Sequence, residues 1–170
     1  MTYPPSWGKQ LDYAFGFMRR ANSQLDVARD QLERYQYSEC ISSSIESMEL
    51  MLKAMFMLLT GDYPTTHEFP DDKVQELLEK VPKEMEYLNF PRIFTMFRFW
   101  VTKTKDGTSF YAIAKYGHKS FGIAADRLFK NDEASLALKH AEECAHAVSI
   151  LENFIIKKRQ VWKKPQKGLD

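Results

Sequence analysis

Apolar residues recur in the second quarter of the chain with the spacing of an amphipathic helix. Six of them follow at steps of four, three, four, three and four residues: Ile41, Ile45, Met48, Leu52, Met55 and Leu59. This spacing puts the six side chains on one stripe, which is typical of a helix packed along another helix. The pattern predicts a helix from about Ser38 to Thr60, with Gly61 as its stop.

A longer stripe precedes it and predicts the partner helix. Ser6, after two prolines, can cap a helix that reaches about Gln36. Its apolar positions alternate steps of three and four: Leu11, Ala14, Met18, Ala21, Leu25, Ala28, Leu32 and Tyr35. Two such stripes joined by a short connection predict an antiparallel pair.

The next segments predict a short helix and then a long one. The short helix covers about Asp71 to Lys80, before Pro82, and Pro91 can open the following helix. The stripe of that helix is Ile93, Phe97, Trp100, Thr104, Gly107, Tyr111 and Ala114. Because the apolar residues keep their helical spacing across Gly107, we predict one helix, kinked or frayed at that residue. Asp106-Gly107 is also a turn signal, which favours two helices instead.

A connection from Lys115 to Asn131 leads to a last helix capped by Asp132. Apolar residues recur in that helix at steps of four, three, four, three and four residues: Ala137, Ala141, Cys144, Val148, Leu151 and Ile155. No alternating strand pattern occurs, so the fold class is all-α, an antiparallel bundle of about five helices. We assign residues 1–156 to the helical domain and 157–170, with six cations before Asp170, to a frayed basic tail.

Composition narrows the function classes. The 24 basic and 23 acidic residues leave a net charge of +1, so no overall field draws the chain to nucleic acid or membrane. Cys40 and Cys144 have no metal-site spacing and are expected to be buried, reduced thiols. The N-terminus does not resemble a signal peptide, and the longest apolar run is too short to span a bilayer. We expect a cytoplasmic protein that binds no metal and no membrane.

Two blocks of the sequence resemble HEPN domains (higher eukaryotes and prokaryotes nucleotide-binding). Residues 42–54, SSSIESMELMLKA, followed by GDYP at 61–64 and THE at 66–68, resemble the second helix and the turn after it. AKYGH at 114–118 and DEA at 132–134 resemble the approach to the last helix of archaeal and bacterial members. The resemblance implies a HEPN-like bundle that binds a nucleotide or a partner, forms a homodimer and works with a minimal nucleotidyltransferase-type protein.

The family's best-known activity is RNA cleavage without metal, which needs an Arg followed four to six residues later by a His. No Arg and His of this chain have that spacing, and the nearest substitute is Lys139 with His146. Lys cannot reproduce the planar two-point grip of Arg on a phosphate. We therefore expect a binding protein and not an enzyme. A divergent RNA-cleaving toxin and a helical interaction module without ligand are the alternatives.

Lys115, Tyr116 and His118 form the densest polar cluster and the first candidate nucleotide site. Lys115 would face a phosphate, Tyr116 would stack on a base and His118 would donate a hydrogen bond. The competing interpretation is an ordinary helix end, where cations complement the helix dipole and Gly117 stops the helix.

Lys53 and His67 are the other candidate nucleotide-binding residues. Lys53 interrupts an apolar run and can line a groove between helices, or it can form a surface ion pair with Glu49. His67 can line a cleft at the helix ends, or it can bond to local backbone at the start of a helix.

Two further features of the sequence concern partners. Trp162 within the basic tail could bind single-stranded nucleic acid, although a short cationic tail more often aids solubility. The homodimer prediction also rests on large apolar residues that lie off the stripes: Phe15, Phe17, Phe56, Met57, Phe94, Met96 and Phe99.

Overall fold

The computed structural model describes the backbone of residues 7–163 and the side chains of residues 7–159. Within these residues the chain forms six α-helices: α1 Trp7–Glu33, α2 Tyr37–Thr60, α3 Asp71–Glu79, α4 Phe90–Val101, α5 Phe110–Tyr116 and α6 Asn131–Lys163. Short 3₁₀ helices cover Lys83–Leu88, Lys119–Phe121 and Ala125–Arg127. The described part holds no β-strand, which confirms the all-α prediction.

The first two helices pack antiparallel along their length. The Ser47 hydroxyl donates to the carbonyl of Ala21 at 2.8 Å, and Gln10 reaches the carbonyl of Met57 near the opposite ends. Helix α6 runs in the same direction as α2, because Cys40 and Ala134 meet near their N-termini. The long helices therefore form an up-and-down bundle in which α1 opposes both α2 and α6.

Helix α2 is the centre of the core. The first five residues of its predicted stripe are fully or almost fully buried, and Leu59 is half-buried. Burial extends around the rest of the helix to Ser43, Ser44 and Ser47, which lie off that stripe. The helix ends at Gly61, whose φ of 78° is the left-handed conformation that glycine adopts without strain.

The prediction of one helix across Gly107 is wrong. Helix α4 ends at Val101, and α5 begins only at Phe110. Between them the Asp106 carboxylate accepts from the Thr104 hydroxyl and the Thr108 amide, and Gly107 has a φ of 80°. This side chain offers the backbone a local alternative to helical hydrogen bonds, so the turn signal outweighs the unbroken stripe.

The connection after α5 is ordered by a close backbone approach. His118 pairs with Ile123 in an isolated antiparallel bridge. A Cβ on Gly117 would lie 2.6 Å from the carbonyl oxygen of Ile123, so only glycine fits here.

Most of the off-stripe apolar residues that suggested a dimer belong to the fold itself. Phe17, Phe56, Met57, Phe94 and Met96 are buried, and Phe15 packs on the core. Phe99 alone of these seven residues is exposed, where it contacts the ring of Phe110. An apolar surface therefore remains at the α4–α5 junction.

Helix α6 continues through Lys163, into the predicted basic tail. The predicted Ser6 cap, the side chain of Trp162 and residues 164–170 lie outside the described residues. No helix in the described part is long and apolar enough to cross a bilayer.

Candidate functional site

Two of the predicted site residues, Lys53 and His67, meet at one buried carboxylate. Lys53 Nζ lies 2.8 Å from Glu49 Oε1, one helical turn away on α2. His67, in the loop after α2, places Nδ1 2.9 Å from Glu49 Oε2. The Glu49 and Lys53 side chains are only 9% and 12% exposed, whereas the His67 side chain is 75% exposed.

This arrangement corrects the surface ion pair and local-backbone interpretations of the two residues. The Lys53–Glu49 pair is largely shielded from water, and the His67 ring bonds to a side chain 18 residues away. A carboxylate that receives Nδ1–H holds the imidazole in one orientation and leaves Nε2 toward solvent. The cluster therefore fastens the loop that follows Gly61 onto α2.

That loop carries Tyr63, which completes a groove beside α1. The Tyr63 ring stacks against Tyr13 at 5.9 Å and meets Phe17 edge-on at 4.8 Å between ring centroids. Lys53 Nζ lies 6.0 Å from the same ring. A hydrogen bond between the two tyrosines raises the pKa of Tyr63 above its ordinary value.

The groove has a volume of about 610 Å³. Its lining consists of three aromatic rings, charged side chains of both signs and one glycine: Lys9, Asp12, Tyr13, Gly16, Phe17, Arg20 and Tyr63. Rings that can stack and cations at the edge are the groups that a nucleotide needs.

Sequence reasoning did not single out this groove, although a signal for it exists. Tyr13, Gly16, Phe17 and Arg20 stand at i, i+3, i+4 and i+7, which makes a second stripe on α1 beside the core stripe. Nothing in the sequence shows that Tyr63, more than forty residues later, closes that stripe into a groove.

Lys115, the first residue of the other predicted cluster, turns back onto the bundle. Its Nζ lies 3.2 Å from Glu46 Oε1 on α2 and 5.1 Å from the centroid of Tyr111. The Tyr111 hydroxyl donates to the same Glu46 oxygen at 3.1 Å. Hydrogen bonding to Tyr111 and the charge of Glu46 raise the pKa of Lys115 above its usual range, so the ammonium stays protonated.

Both ring nitrogens of His118 already have partners. The Phe121 amide donates to Nδ1 at 3.3 Å, and Nε2 faces Asp106 Oδ2 at 3.3 Å. The Phe121 ring stacks on the imidazole at 3.9 Å between centroids. His118 thus joins the α4–α5 turn to the connection after α5, and hydrogen bonds to Thr104 and Thr108, together with His118, lower the pKa of Asp106.

The three neighbours in sequence do not face one site. Tyr116 is 81% exposed and lines a small cavity of about 230 Å³ together with His118. Lys115 lines a different cavity, of about 370 Å³, against α2. The structure instead brings together Lys53 and His67, which lie next to the aromatic groove through Tyr63.

The two cysteines are buried and free. Burial raises the pKa of Cys40 to about 11 and also raises that of Cys144, so neither is a reactive thiolate near neutral pH. The described residues contain no group of three or more His, Cys, Asp or Glu side chains placed to hold a metal.

Comparison with protein families agrees with the resemblance seen in the sequence. The HEPN domain model matches residues 16–152, which is most of the chain and extends from within α1 to within α6. The chain belongs to the HEPN domain family. This membership supports a nucleotide- or RNA-related function in general. The chain has no significant match among curated proteins or among solved structures.

Proposed function

We propose that this HEPN protein binds a nucleotide in the groove between α1 and Tyr63. The observation that carries the proposal is the meeting of three aromatic rings with Lys9 and Arg20 around one open volume. Base stacking on aromatic side chains contributes about 1–3 kcal/mol per base, and it does not require a polynucleotide.

Each part of the groove has a role in this proposal. Tyr13 and Tyr63 offer ring faces to the base, while Arg20 can hold a phosphate through two parallel hydrogen bonds. Asp12 can accept from a sugar hydroxyl. Lys53, Glu49 and His67 act behind the groove, because they hold the loop that presents Tyr63.

The proposal extends to the partners implied by the family resemblance. We propose a homodimer formed through the exposed α4–α5 surface, and a minimal nucleotidyltransferase-type protein as the working partner. The absent Arg and His spacing supports binding over RNA cleavage. A divergent RNA-cleaving toxin and a module without ligand remain the competing classes.

Calorimetric titration with AMP and ATP tests the site through two matched pairs of variants. In the groove, Tyr63→Leu and Arg20→Gln should each weaken binding about 10-fold, the effect of losing about 1.4 kcal/mol. Tyr116→Leu and Lys115→Gln likewise remove one tyrosine ring and one cation, but in the other cluster, and should bind like the parent.

The reverse pattern would place the nucleotide at Lys115, Tyr116 and His118, as first predicted from the sequence. No heat of binding with the parent protein for any nucleoside mono-, di- or triphosphate would contradict nucleotide binding altogether. An unchanged unfolding temperature in each variant confirms that the fold is intact.

A further inference from the structure

The wall of the aromatic groove includes a glycine in the interior of a long helix. Gly16 lies well inside α1 and lines the groove. Glycine in a helix interior destabilises the helix relative to alanine, because glycine loses more conformational freedom when the chain folds. A glycine at this position therefore needs a reason, which either the fold or a ligand must supply.

The described part of the fold does not require glycine at this position. A positive φ, which alanine adopts only with strain, explains four other glycines: Gly61, Gly107, Gly117 and Gly122. Gly16 has no such φ. Among the described residues, a Cβ on Gly16 would meet only the far end of the flexible Arg19 side chain, at 3.9 Å. Alanine would therefore fit both the helix and its surroundings.

The missing side chain leaves bare backbone between a ring and a cation. Tyr13, Gly16 and Arg20 follow at steps of three and four residues, so they share one face of α1, and all three line the groove. The rise of an α-helix places Tyr13 and Arg20 about 10 Å apart along the axis. A ligand that reaches from the ring to the cation must pass over Gly16.

We infer that Gly16 selects the ligand of the groove by letting the sugar of a nucleotide lie directly against the backbone of α1. The inference rests on the proposed function, in which Tyr13 stacks on the base and Arg20 holds the phosphate. The sugar joins these two groups, so it lies between them and over Gly16. Carbon atoms in contact are about 3.5–4.0 Å apart, and a Cβ projects about 1.5 Å from the backbone, so any side chain here would push the sugar out of contact. The ligand class is a nucleotide extended along α1.

Gly16→Ala tests this inference because it should change stability and binding in opposite directions. The unfolding temperature of the free protein should rise by about 2–4 °C, since alanine favours the helix and its Cβ has room. Calorimetric titration should show AMP binding weakened about 10-fold, since one methyl group takes the place of the sugar. Gly16→Leu, which keeps a good helix former but fills more of the groove, should weaken AMP binding further.

Gly8→Ala is the matched control. Gly8 also lies in α1, has open space where a Cβ would stand and does not line the groove, so AMP binding should be unchanged. A lower unfolding temperature for Gly16→Ala would overturn the inference, because the fold would then require the glycine. AMP binding by Gly16→Ala as tight as that of the parent would also overturn it, and the proposed nucleotide site would still stand. A parent that does not bind AMP would contradict both.

Discussion

At the scale of single residues, contacts from other helices decide what each histidine does. His140 on α6 accepts a hydrogen bond from Trp100 Nε1 at 3.0 Å, so its Nδ1 must be unprotonated. Burial lowers the pKa of His140 below its usual 6.5, and the positive charges of Arg92 and Lys139 lower it further, against the opposing effect of Glu143. His146 on the same helix is exposed.

The free energy of unfolding should therefore fall in mild acid because of His140. A histidine whose pKa is lower in the folded state takes up a proton on unfolding, so its contribution is present above 6.5 and is lost as the pH falls through the folded-state pKa. Urea unfolding between about pH 7 and pH 5 checks this. His140→Gln should flatten that dependence and His146→Gln should not. Equal slopes for the parent and His140→Gln would contradict it.

At the scale of elements, one buried carboxylate joins a loop to a helix. Glu49 pairs with Lys53 one turn along α2, and it also binds His67 in the loop that follows the helix. Burying an ion pair contributes little by itself, but removing one partner leaves an uncompensated charge away from water. The partners also differ in exposure, since the His67 side chain is 75% exposed.

Glu49 and His67 should then differ in their effect on stability. Glu49→Gln leaves Lys53 without a counter-charge and should lower the free energy of unfolding by about 3–5 kcal/mol. His67→Gln removes a solvent-exposed contact and should cost about 1 kcal/mol or less. Chemical denaturation measures both values. A loss no larger for Glu49→Gln than for His67→Gln would show that water reaches the pair.

At the scale of the whole molecule, an exposed apolar patch on α4 and α5 is the feature that concerns dimer formation. The tilted rings of Phe99 and Phe110 contact each other on the outside of α4 and α5, with centroids 5.1 Å apart, and both are exposed. Exposed apolar patches on a folded protein often mark an interface. The core itself accounts for the other large apolar residues that the sequence shows off its stripes.

We expect the protein to be a dimer at micromolar concentration, held by this patch. Replacing Phe99 and Phe110 by Ser should give a folded monomer, because the change removes apolar area from the interface while both rings are solvent-exposed in one chain. Light scattering gives the mass. Tyr87→Ser, an exposed aromatic on the 3₁₀ helix before α4, is the control and should stay dimeric. A monomeric parent would contradict the expectation.

We also expect no RNA cleavage in metal-free buffer. The Arg and His that would stabilise charge on the phosphate and transfer the proton are not spaced together in the sequence. Incubation with a structured and an unstructured RNA, followed by electrophoresis, is the measurement. Cleavage that disappears in His146→Ala would favour the divergent toxin instead.

Local patterns in the sequence determined the elements of this protein. The stripe from Ile41 to Leu59 and the stop at Gly61 predicted α2 closely, because helical periodicity and a left-handed glycine are properties of the local chain. The same reasoning failed at Gly107. There the stripe and the turn signal conflict, and hydrogen bonds of the Asp106 side chain favour the turn.

Only the tertiary structure decided which polar residues lie close together. Lys115, Tyr116 and His118 are neighbours in sequence, yet α5 ends at Tyr116, and His118 lies beyond it. Lys115 contacts Glu46 on α2, whereas His118 contacts Asp106 in the α4–α5 turn. Tyr63, in the loop after α2, contacts Tyr13 on α1. His67, in the same loop, contacts Glu49 on α2. Periodicity records which face of a helix is buried. The partner that a polar side chain finds depends on how separate helices pack, and that information is not local.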